Sequence, residues 1–294
     1  MGYCYSDLVN DCNKLINTYS FADMFSIGES VMEKKIYCLR VGTGKKKLFI
    51  NGSHHGLEYL TSAFIMKFFH ELCNAYENKN NMFSYDISFL LENVSLYAVP
   101  MVNPDGVDIA VNGIDITNPY HRKLISKVGI HSFNKVWQAN VNGVDINHNY
   151  DANWHPVEEH ASPSKYAGPY SESEPETKAI VDFVRGENFD MLIAFHSQGG
   201  EIYYDFDGSI SEHSLEIANH MASVSGYTVA IPTGSASFGG CKDWFIKEFG
   251  KAGFTVEIGH GKNPLPDEML NKIYENNAKI ILSAMSDITE RIKK

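Results

Sequence analysis

Short apolar runs alternate with amphipathic helical patterns from about residue 174 onward, and this alternation strongly constrains the fold of the 294-residue chain. The run at 191–195 has the length and continuous apolar character of a strand buried on both faces, and 254–258, in which Thr255 and Glu257 interrupt the apolar residues, is also predicted to be a strand. Helical spacing of apolar residues fills the segments between them, as it does earlier at 5–19 and 60–76. Strands that alternate with helices predict a largely parallel α/β sheet covered on both faces, with polar site residues where the strands end.

The composition narrows the class of protein. Hydrophobic residues make up 44% of the chain, and no repeat or linker divides it, which predicts one domain over residues 1–294. The formal charge of -11 disfavours nucleic acid or anionic membrane as partners, because both need clustered cations. No apolar run approaches the ~20 residues of a membrane span. Five scattered cysteines, and a beginning without a visible signal peptide, predict a cytoplasmic protein with reduced thiols; the sequence indicates no oligomeric state.

Histidines and glutamates lie next to the predicted strand ends. His55 and Glu58 are three residues apart in the loop before a predicted helix, whereas His196 and Glu257 stand at or near the ends of two apolar runs. A third ligand from a distant strand would complete a His2Glu set that leaves one metal position open for water, and a further acid would serve as general base. The adjacent His54 is expected to be a packing or surface histidine. The pattern predicts a metal-dependent hydrolase.

Six short motifs follow one another along the chain: His55-Gly-Leu-Glu58, Asn103-Pro-Asp-Gly106, Gly143-Val-Asp-Ile-Asn147, His196-Ser197, Asp243-Trp244 and Phe254-Thr-Val-Glu257. The second motif is expected to form a turn at the end of a strand. Together they resemble the zinc carboxypeptidase family, and within it the branch of γ-D-glutamyl-diamino-acid peptidases that cut bacterial cell-wall peptides. The resemblance spans nearly the whole chain. It implies a three-layer α/β/α sandwich with a mixed, largely parallel eight-stranded sheet.

The resemblance also implies roles for individual residues. One Zn²⁺ per chain would be held by His55, Glu58 and His196. Glu257 would be the base that deprotonates the attacking water and later protonates the leaving amine. Asp145 resembles the acid that accepts the remaining ring N–H of the first histidine and fixes its tautomer, although it could instead cap a turn.

The chain departs from the family pattern at the residues that handle charge on the substrate. In exopeptidases of the family, an arginine comes directly after the asparagine that corresponds to Asn147, and it binds a C-terminal carboxylate. Here Asn147 is followed by His148, which lacks the bidentate fork of arginine. The family also places an arginine beside a tryptophan to stabilise the oxyanion; here Gln138 follows Trp137. The segment from about residue 112 to 174, rich in Asn, Gly, His and Pro, is expected to be a long irregular and functional loop. Gln138 and Arg122, the only arginine in this loop, are the two candidates for the oxyanion role.

Two further positions concern substrate binding. Ser235 takes the place of the family's mobile tyrosine, which weakens an exopeptidase hypothesis. Lys242 stands where the family faces the residue after the cut, and a cation there would suit a carboxylate-bearing side chain. The alternative for Lys242 is a solvated lysine at the start of a helix.

The function that these features favour is a zinc metalloprotease, a hydrolase that cleaves the γ-D-glutamyl–diamino acid amide bond in peptidoglycan stem peptides, with a peptide or muropeptide as substrate. One alternative is a zinc carboxypeptidase that removes C-terminal residues from ordinary peptides. A second is a related zinc deacylase of N-acyl amino acids, which would need arginines near the metal, and the whole chain has four. A binding module that kept the fold would have lost a ligand or Glu257, and none is lost.

Overall fold

The computed structural model describes residues 2–231 and 238–290, and in this part of the chain helices enclose a central sheet. The helices are α1 Tyr5–Thr18, α2 Leu60–Glu77, α3 Ile87–Asn93, α4 Pro104–Asn112, α5 Pro119–Val128, α6 Phe133–Val136, α7 Pro175–Glu187, α8 Ser214–Ser225, α9 Cys241–Phe249 and α10 Leu270–Glu290. The strands are β1 Asp23–Glu29, β2 Lys35–Val41, β3 Lys46–Gly52, β4 Asn81–Met82, β5 Tyr85–Asp86, β6 Val94–Val99, β7 Met191–His196, β8 Glu201–Tyr203, β9 Thr228–Ala230 and β10 Ala252–Glu257.

Eight of the described strands form one mixed sheet in the order β1-β2-β6-β3-β7-β10-β8-β9. The four central strands β6, β3, β7 and β10 run parallel, whereas β2 is antiparallel to both its neighbours and β8 is antiparallel to β10. The short pair β4-β5 forms a separate hairpin. The predicted fold class, an α/β sandwich with a mixed, largely parallel eight-stranded sheet, is confirmed.

The central strand β7 shows why its sequence is apolar throughout. Met191, Ile193 and Phe195 belong to one apolar core, which they share with residues of α2 and α10. Leu192 and Ala194 belong to another core on the opposite face, together with residues of α7 and α9. Because successive side chains of a strand point to opposite faces, a strand covered on both sides needs a continuous apolar run rather than alternation.

Two segments differ from the sequence-based expectation. Asn103-Pro-Asp-Gly106 resembles a turn in sequence, but it begins helix α4: the Asn103 side-chain oxygen accepts the Gly106 N–H at 2.8 Å, and proline occupies the first helical turn, where no N–H is needed. The long segment expected to be irregular, 112–174, contains the helices α5 and α6.

The parallel strands β3, β7 and β10 bring the candidate site together. Gly52 at the end of β3 pairs with Phe195 of β7, and His196 pairs with Glu257 of β10. The carboxyl ends of these neighbouring strands therefore lie at one edge of the sheet, which is where ligands bind in such folds. His55 follows β3 by three residues, so it reaches the same edge. Within residues 2–231 and 238–290, no helix has both the length and the apolar character that a membrane crossing requires.

Candidate active site

The Glu58 carboxylate lies between the rings of His55 and His196. Its Oε1 is 2.9 Å from His55 Nδ1, and its Oε2 is 3.0 Å from His196 Nδ1. One donor atom from each residue lies within 4.8 Å of the other two. Two imidazole nitrogens and a carboxylate that face one point are the donor set that catalytic zinc uses, with a coordination position left for water or substrate. The three residues fit a zinc ion.

The loop that carries His55 and Glu58 adopts a tight conformation that restricts which residues fit in it. After His55 the chain makes a tight 3-10 turn over Gly56–Glu58. A Cβ on Gly56 would lie 2.4 Å from the Gly106 carbonyl oxygen, so only glycine fits there. Ser53 adopts a left-handed φ of 51°, uncommon without glycine, and its hydroxyl donates to the Glu58 carbonyl at 3.1 Å. The relative positions of the His55 and Glu58 side chains are thus fixed by a crowded, hydrogen-bonded turn.

Electrostatics at this cluster favour a cation. Burial raises the pKa of Glu58, but the adjacent His55 and His196 outweigh it and lower that pKa to about 2. Burial also lowers the pKa of His55, whereas Glu58 and Asp145 raise it, and the net direction is well upward. Buried carboxylates that are this well stabilised as anions form a strong negative field at the two Nδ1 atoms. A divalent cation at that point would complement the field.

Asp145 holds the far side of the first histidine ring. It is buried, and its Oδ1 lies 3.2 Å from His55 Nε2 while its Oδ2 accepts the Lys165 N–H at 2.8 Å. Burial raises the pKa of Asp145, but His55, His148 and the Lys165 N–H together lower it by more, so the group stays ionised. A carboxylate on Nε2 keeps the proton there and leaves Nδ1 as the metal-facing atom. The geometry supports the orienting role predicted for Asp145.

His54 is the packing histidine of the pair. Its ring is buried and stacks on the His196 ring at 5.3 Å between centroids with an interplanar angle of 23°. Its Nε2 lies 2.9 Å from the Tyr150 hydroxyl. The ring therefore packs on the face of a candidate ligand, whose Nδ1 atom contacts the Glu58 carboxylate.

Glu257 ends β10, directly opposite His196 in the parallel pairing. Burial raises its pKa well above the ordinary value, and the negative charge of Glu58 adds to the rise. A carboxyl group that readily holds a proton beside the three candidate metal ligands has the property that a general base and acid needs. The two residues predicted as ligand and base are thus brought together by strand register.

Asn147 and His148 contact the start of helix α9 and the residues just before it. Asn147 Oδ1 accepts the Cys241 N–H at 3.0 Å, and His148 Nδ1 lies 3.0 Å from the Phe238 carbonyl oxygen, to which it donates. Gly239 packs so closely on the His148 backbone that a Cβ there would lie 2.3 Å from the His148 carbonyl oxygen. Among the described residues, Asn147 Nδ2 and His148 Nε2 form no hydrogen bond, so both remain available to a ligand.

Lys242 does not lie free at this entrance. Its side chain is buried, its ammonium donates to the Asp205 carbonyl oxygen, and it forms an ion pair with Asp243. Burial raises the pKa of Asp243 to about 6, with Lys242 opposing the rise. The prediction that Lys242 faces the substrate is therefore corrected. Its ammonium is bound instead by the Asp243 carboxylate and the Asp205 carbonyl oxygen. Ser235, the other substrate-binding candidate, lies outside the described residues.

The two oxyanion candidates occupy different places. The Gln138 carbonyl oxygen accepts the Gly56 N–H at 3.0 Å and the Asn103 side-chain amide at 3.3 Å, so Gln138 adjoins the metal-binding loop. Arg122 is exposed on α5, and its Nη1 donates to the Ile116 and Thr117 carbonyl oxygens at 3.1 and 2.7 Å. Its described hydrogen bonds therefore stay within its own segment.

Two polar residues near the cluster were not predicted. Asn263 donates from Nδ2 to the Ser197 carbonyl oxygen at 2.6 Å and, more weakly, to Glu58 Oε1 at 3.4 Å. Glu201 lies opposite Glu257 in the antiparallel pairing of β8 with β10. Asn263 follows the β10 strand end, where sequence reasoning could have sought it; strand β8 is only three residues long and carries no comparable pattern.

Comparison with known proteins agrees with this geometry. The zinc carboxypeptidase family profile matches residues 9–280. Gamma-D-glutamyl-L-diamino acid endopeptidase 1 of Lysinibacillus sphaericus is 35% identical over 288 residues, covering 96% of this chain and 72% of the relative. The uncharacterised protein YqgT of Bacillus subtilis is 32% identical over 292 residues, covering 96% and 77%.

The fold is also shared with a solved structure. Thrombin-activatable fibrinolysis inhibitor superimposes with a TM-score of 0.79 at 22% identity, over 99% of this chain and 75% of that one. This likeness bears on the fold alone. With a family profile that spans most of its length, the chain belongs to the zinc carboxypeptidase family and is a zinc metallopeptidase.

Proposed function

We propose that this peptidase hydrolyses the γ-D-glutamyl–diamino acid amide bond of peptidoglycan stem peptides. The observation that carries the proposal is the 35% identity, over 96% of the chain, to an endopeptidase named for that bond. The replacement of the family arginine by His148 supports it, because a strict carboxypeptidase needs a bidentate grip on the terminal carboxylate. We further propose one peptidase domain over residues 1–294; the free state of all five cysteines supports a reducing, cytoplasmic setting.

In this proposal His55, Glu58 and His196 hold the zinc ion, and Asp145 orients the first of them. Bound zinc supplies Lewis acidity, which polarises a carbonyl group and acidifies water. Glu257 accepts the proton of the attacking water on its carboxylate and transfers it to the nitrogen of the leaving amine. Its raised pKa suits both steps, because the same group must take the proton and then release it.

The substrate is positioned by neutral donors rather than by an arginine. The Gln138 amide is proposed to donate to the developing oxyanion, a contact commonly worth ~3 kcal/mol. Asn147 Nδ2 and His148 Nε2 are proposed to bind a substrate carboxylate, which the γ-linked glutamate and the diamino acid both carry. Arg122 remains a second candidate for the oxyanion, and its use would require the guanidinium to leave the Ile116 and Thr117 carbonyls.

A zinc carboxypeptidase that acts on ordinary peptides is the second candidate, because the family as a whole carries that name. The two activities differ in the bond they cut. The γ-D-glutamyl bond joins a side-chain carboxyl to the diamino acid, whereas a carboxypeptidase cuts an ordinary α-peptide bond at the C-terminus.

The test uses the zinc-loaded protein with L-Ala-γ-D-Glu-meso-diaminopimelate and with the same peptide extended by D-Ala. Mass spectrometry should detect L-Ala-D-Glu from both peptides, together with free diaminopimelate from the first and diaminopimelyl-D-Ala from the second. Zinc-loaded Glu257→Gln is the matched control and should be nearly inactive. Release of C-terminal residues from ordinary α-peptides, without cleavage of either γ-linked peptide, would contradict the proposal and favour the carboxypeptidase.

A further inference from the structure

Two carboxylates stand side by side at the catalytic edge of the sheet. Glu201 of β8 is directly opposite Glu257 of β10 in an antiparallel pairing. Residues opposite one another in such a pairing have Cβ atoms about 4.5–5.5 Å apart, and like charges in this arrangement are unfavourable. The fold therefore holds an acid in a place where charge repulsion disfavours it.

The Glu201 carboxylate is oriented by a neighbouring tyrosine hydroxyl. The Tyr203 hydroxyl donates to Glu201 Oε2 at 2.5 Å, from two residues along the same face of β8. In residues 2–231 and 238–290, no Lys, Arg or His forms an ion pair with Glu201. Within these described residues, the Tyr203 hydroxyl thus orients the carboxylate without a counter-charge.

Gly199 packs next to both Glu201 and Glu257. A Cβ on Gly199 would lie 3.3 Å from Glu201 Oε2 and 3.5 Å from Glu257 Cβ. A larger side chain at position 199 would therefore crowd both acids. Lys242, the cation that was predicted to face the substrate, is buried and forms an ion pair with Asp243, so its ammonium is not available to Glu201. The half-buried Glu201 carboxylate, opposite Glu257, is suited to a cation carried by the substrate.

We infer that Glu201 binds the protonated second amino group of the diamino acid next to the scissile bond; the inference rests on the proposed function. That amine has the ordinary pKa of an alkyl ammonium, roughly 10, and is charged at neutral pH. An ordinary residue at this position lacks it. Glu201 would thereby select a diamino acid, while Glu257 carries out proton transfer.

The experiment compares two substrates that differ only in this amine. L-Ala-γ-D-Glu-meso-diaminopimelate carries it, and the analogue with 2-aminopimelate keeps the distal carboxylate without it. Glu201→Gln preserves the size of the side chain and an acceptor for Tyr203, and the matched control is Glu71→Gln on the exposed side of α2. Wild type should prefer the diaminopimelate peptide in kcat/KM by about 10- to 150-fold, the range of a charge-assisted hydrogen bond. Glu201→Gln should abolish that preference with little loss on the aminopimelate peptide, while Glu71→Gln keeps it.

Each other outcome has a distinct meaning. Equal losses on both peptides in Glu201→Gln would overturn the inference and assign Glu201 to support of Glu257. Equal cleavage of both peptides by wild type would also overturn it, yet leave the proposed function standing. Equal losses that vanish when the alanine of both peptides is N-acetylated would instead assign the contact to the alanine ammonium, and would likewise overturn the diamino-acid assignment. No cleavage of either γ-linked peptide would overturn the proposed function and the inference together.

Discussion

Replacing Lys242 with methionine tests whether this lysine is structural or binds substrate. The side chains of Lys242 and Asp243 are 3% and 5% exposed, and the ammonium also donates to the Asp205 carbonyl oxygen. Methionine preserves most of the apolar stem and removes the charge. Because the Asp243 carboxylate would then be buried without its counter-charge, the folded state should lose stability.

The size of the loss follows from this burial. Removing one partner of a buried ion pair costs about 3–5 kcal/mol, since the remaining charge is left uncompensated. An unfolding entropy of about 2.1 cal/mol/K per residue gives a fall in Tm of roughly 5–8 °C for a chain of 294 residues. Burial raises the pKa of Asp243 to about 6, and loss of Lys242 would raise it further. The carboxyl is therefore neutral at pH 5 and charged at higher pH, so the loss should be larger at pH 8 than at pH 5.

Thermal unfolding of wild type, Lys242→Met and the double variant Lys242→Met/Asp243→Asn at both pH values measures this effect. The double variant, which removes the orphaned charge, should recover part of the lost Tm at pH 8. The exposed Lys127→Met, on the last turn of α5, controls for the loss of a lysine. An unchanged Tm in Lys242→Met, combined with a selective loss of kcat/KM on substrates with an acidic residue after the cut, would refute the structural role and restore the substrate-binding one.

Three further predictions concern single acids. Asp145→Asn should weaken zinc binding by about 10- to 100-fold, because His55 loses the carboxylate that orients its ring; competition with a chelator measures this, and unchanged affinity would remove Asp145 from the metal centre. Glu257→Gln should retain zinc while kcat falls by about 10²- to 10⁴-fold, and a zinc-loaded variant with normal kcat would move the base role elsewhere. Burial, reinforced by Asp105, raises the pKa of Glu176 to about 8, so its protonated form favours folding below its ordinary pKa of about 4.5 and this contribution is lost as pH rises through 8. The Tm of Glu176→Gln, relative to the Tm of wild type, should therefore rise as the pH is raised from 5 to 8.5. A Tm difference that stays constant with pH would contradict the assigned burial effect.

The elements with the strongest apolar patterns could be predicted from sequence. The runs at 191–195 and 254–258 correspond to β7 and β10, because a central parallel strand must be apolar on both faces. The candidate metal ligands could be found as well, since two lie in one short turn and the third ends one of these strands. Their functional assignment came from ordered motifs rather than from any single spacing.

What could not be predicted depends on pairing between distant segments. Lys242 stands in the first turn of α9, where a lysine is ordinarily solvated; its burial depends on the Asp205 carbonyl, 37 residues earlier in the chain. The position of Glu201 beside Glu257 depends on an antiparallel strand of three residues, which is too short for a periodic pattern. Helix α4 was missed because Asn103-Pro-Asp-Gly106 suits both a turn and a helix start, and only the hydrogen bond to Gly106 distinguishes them.

The most direct test of the metal centre is elemental analysis of the purified protein. Wild type should contain about one zinc per chain, and His55→Gln/His196→Gln should contain very little, because two of the three proposed ligands are absent. The control His131→Gln/His155→Gln, which changes one exposed and one half-buried histidine outside the cluster, should retain the wild-type content. Circular dichroism establishes that each variant is folded before its metal is counted. Stoichiometric zinc in a folded protein that lacks both His55 and His196 would contradict the account.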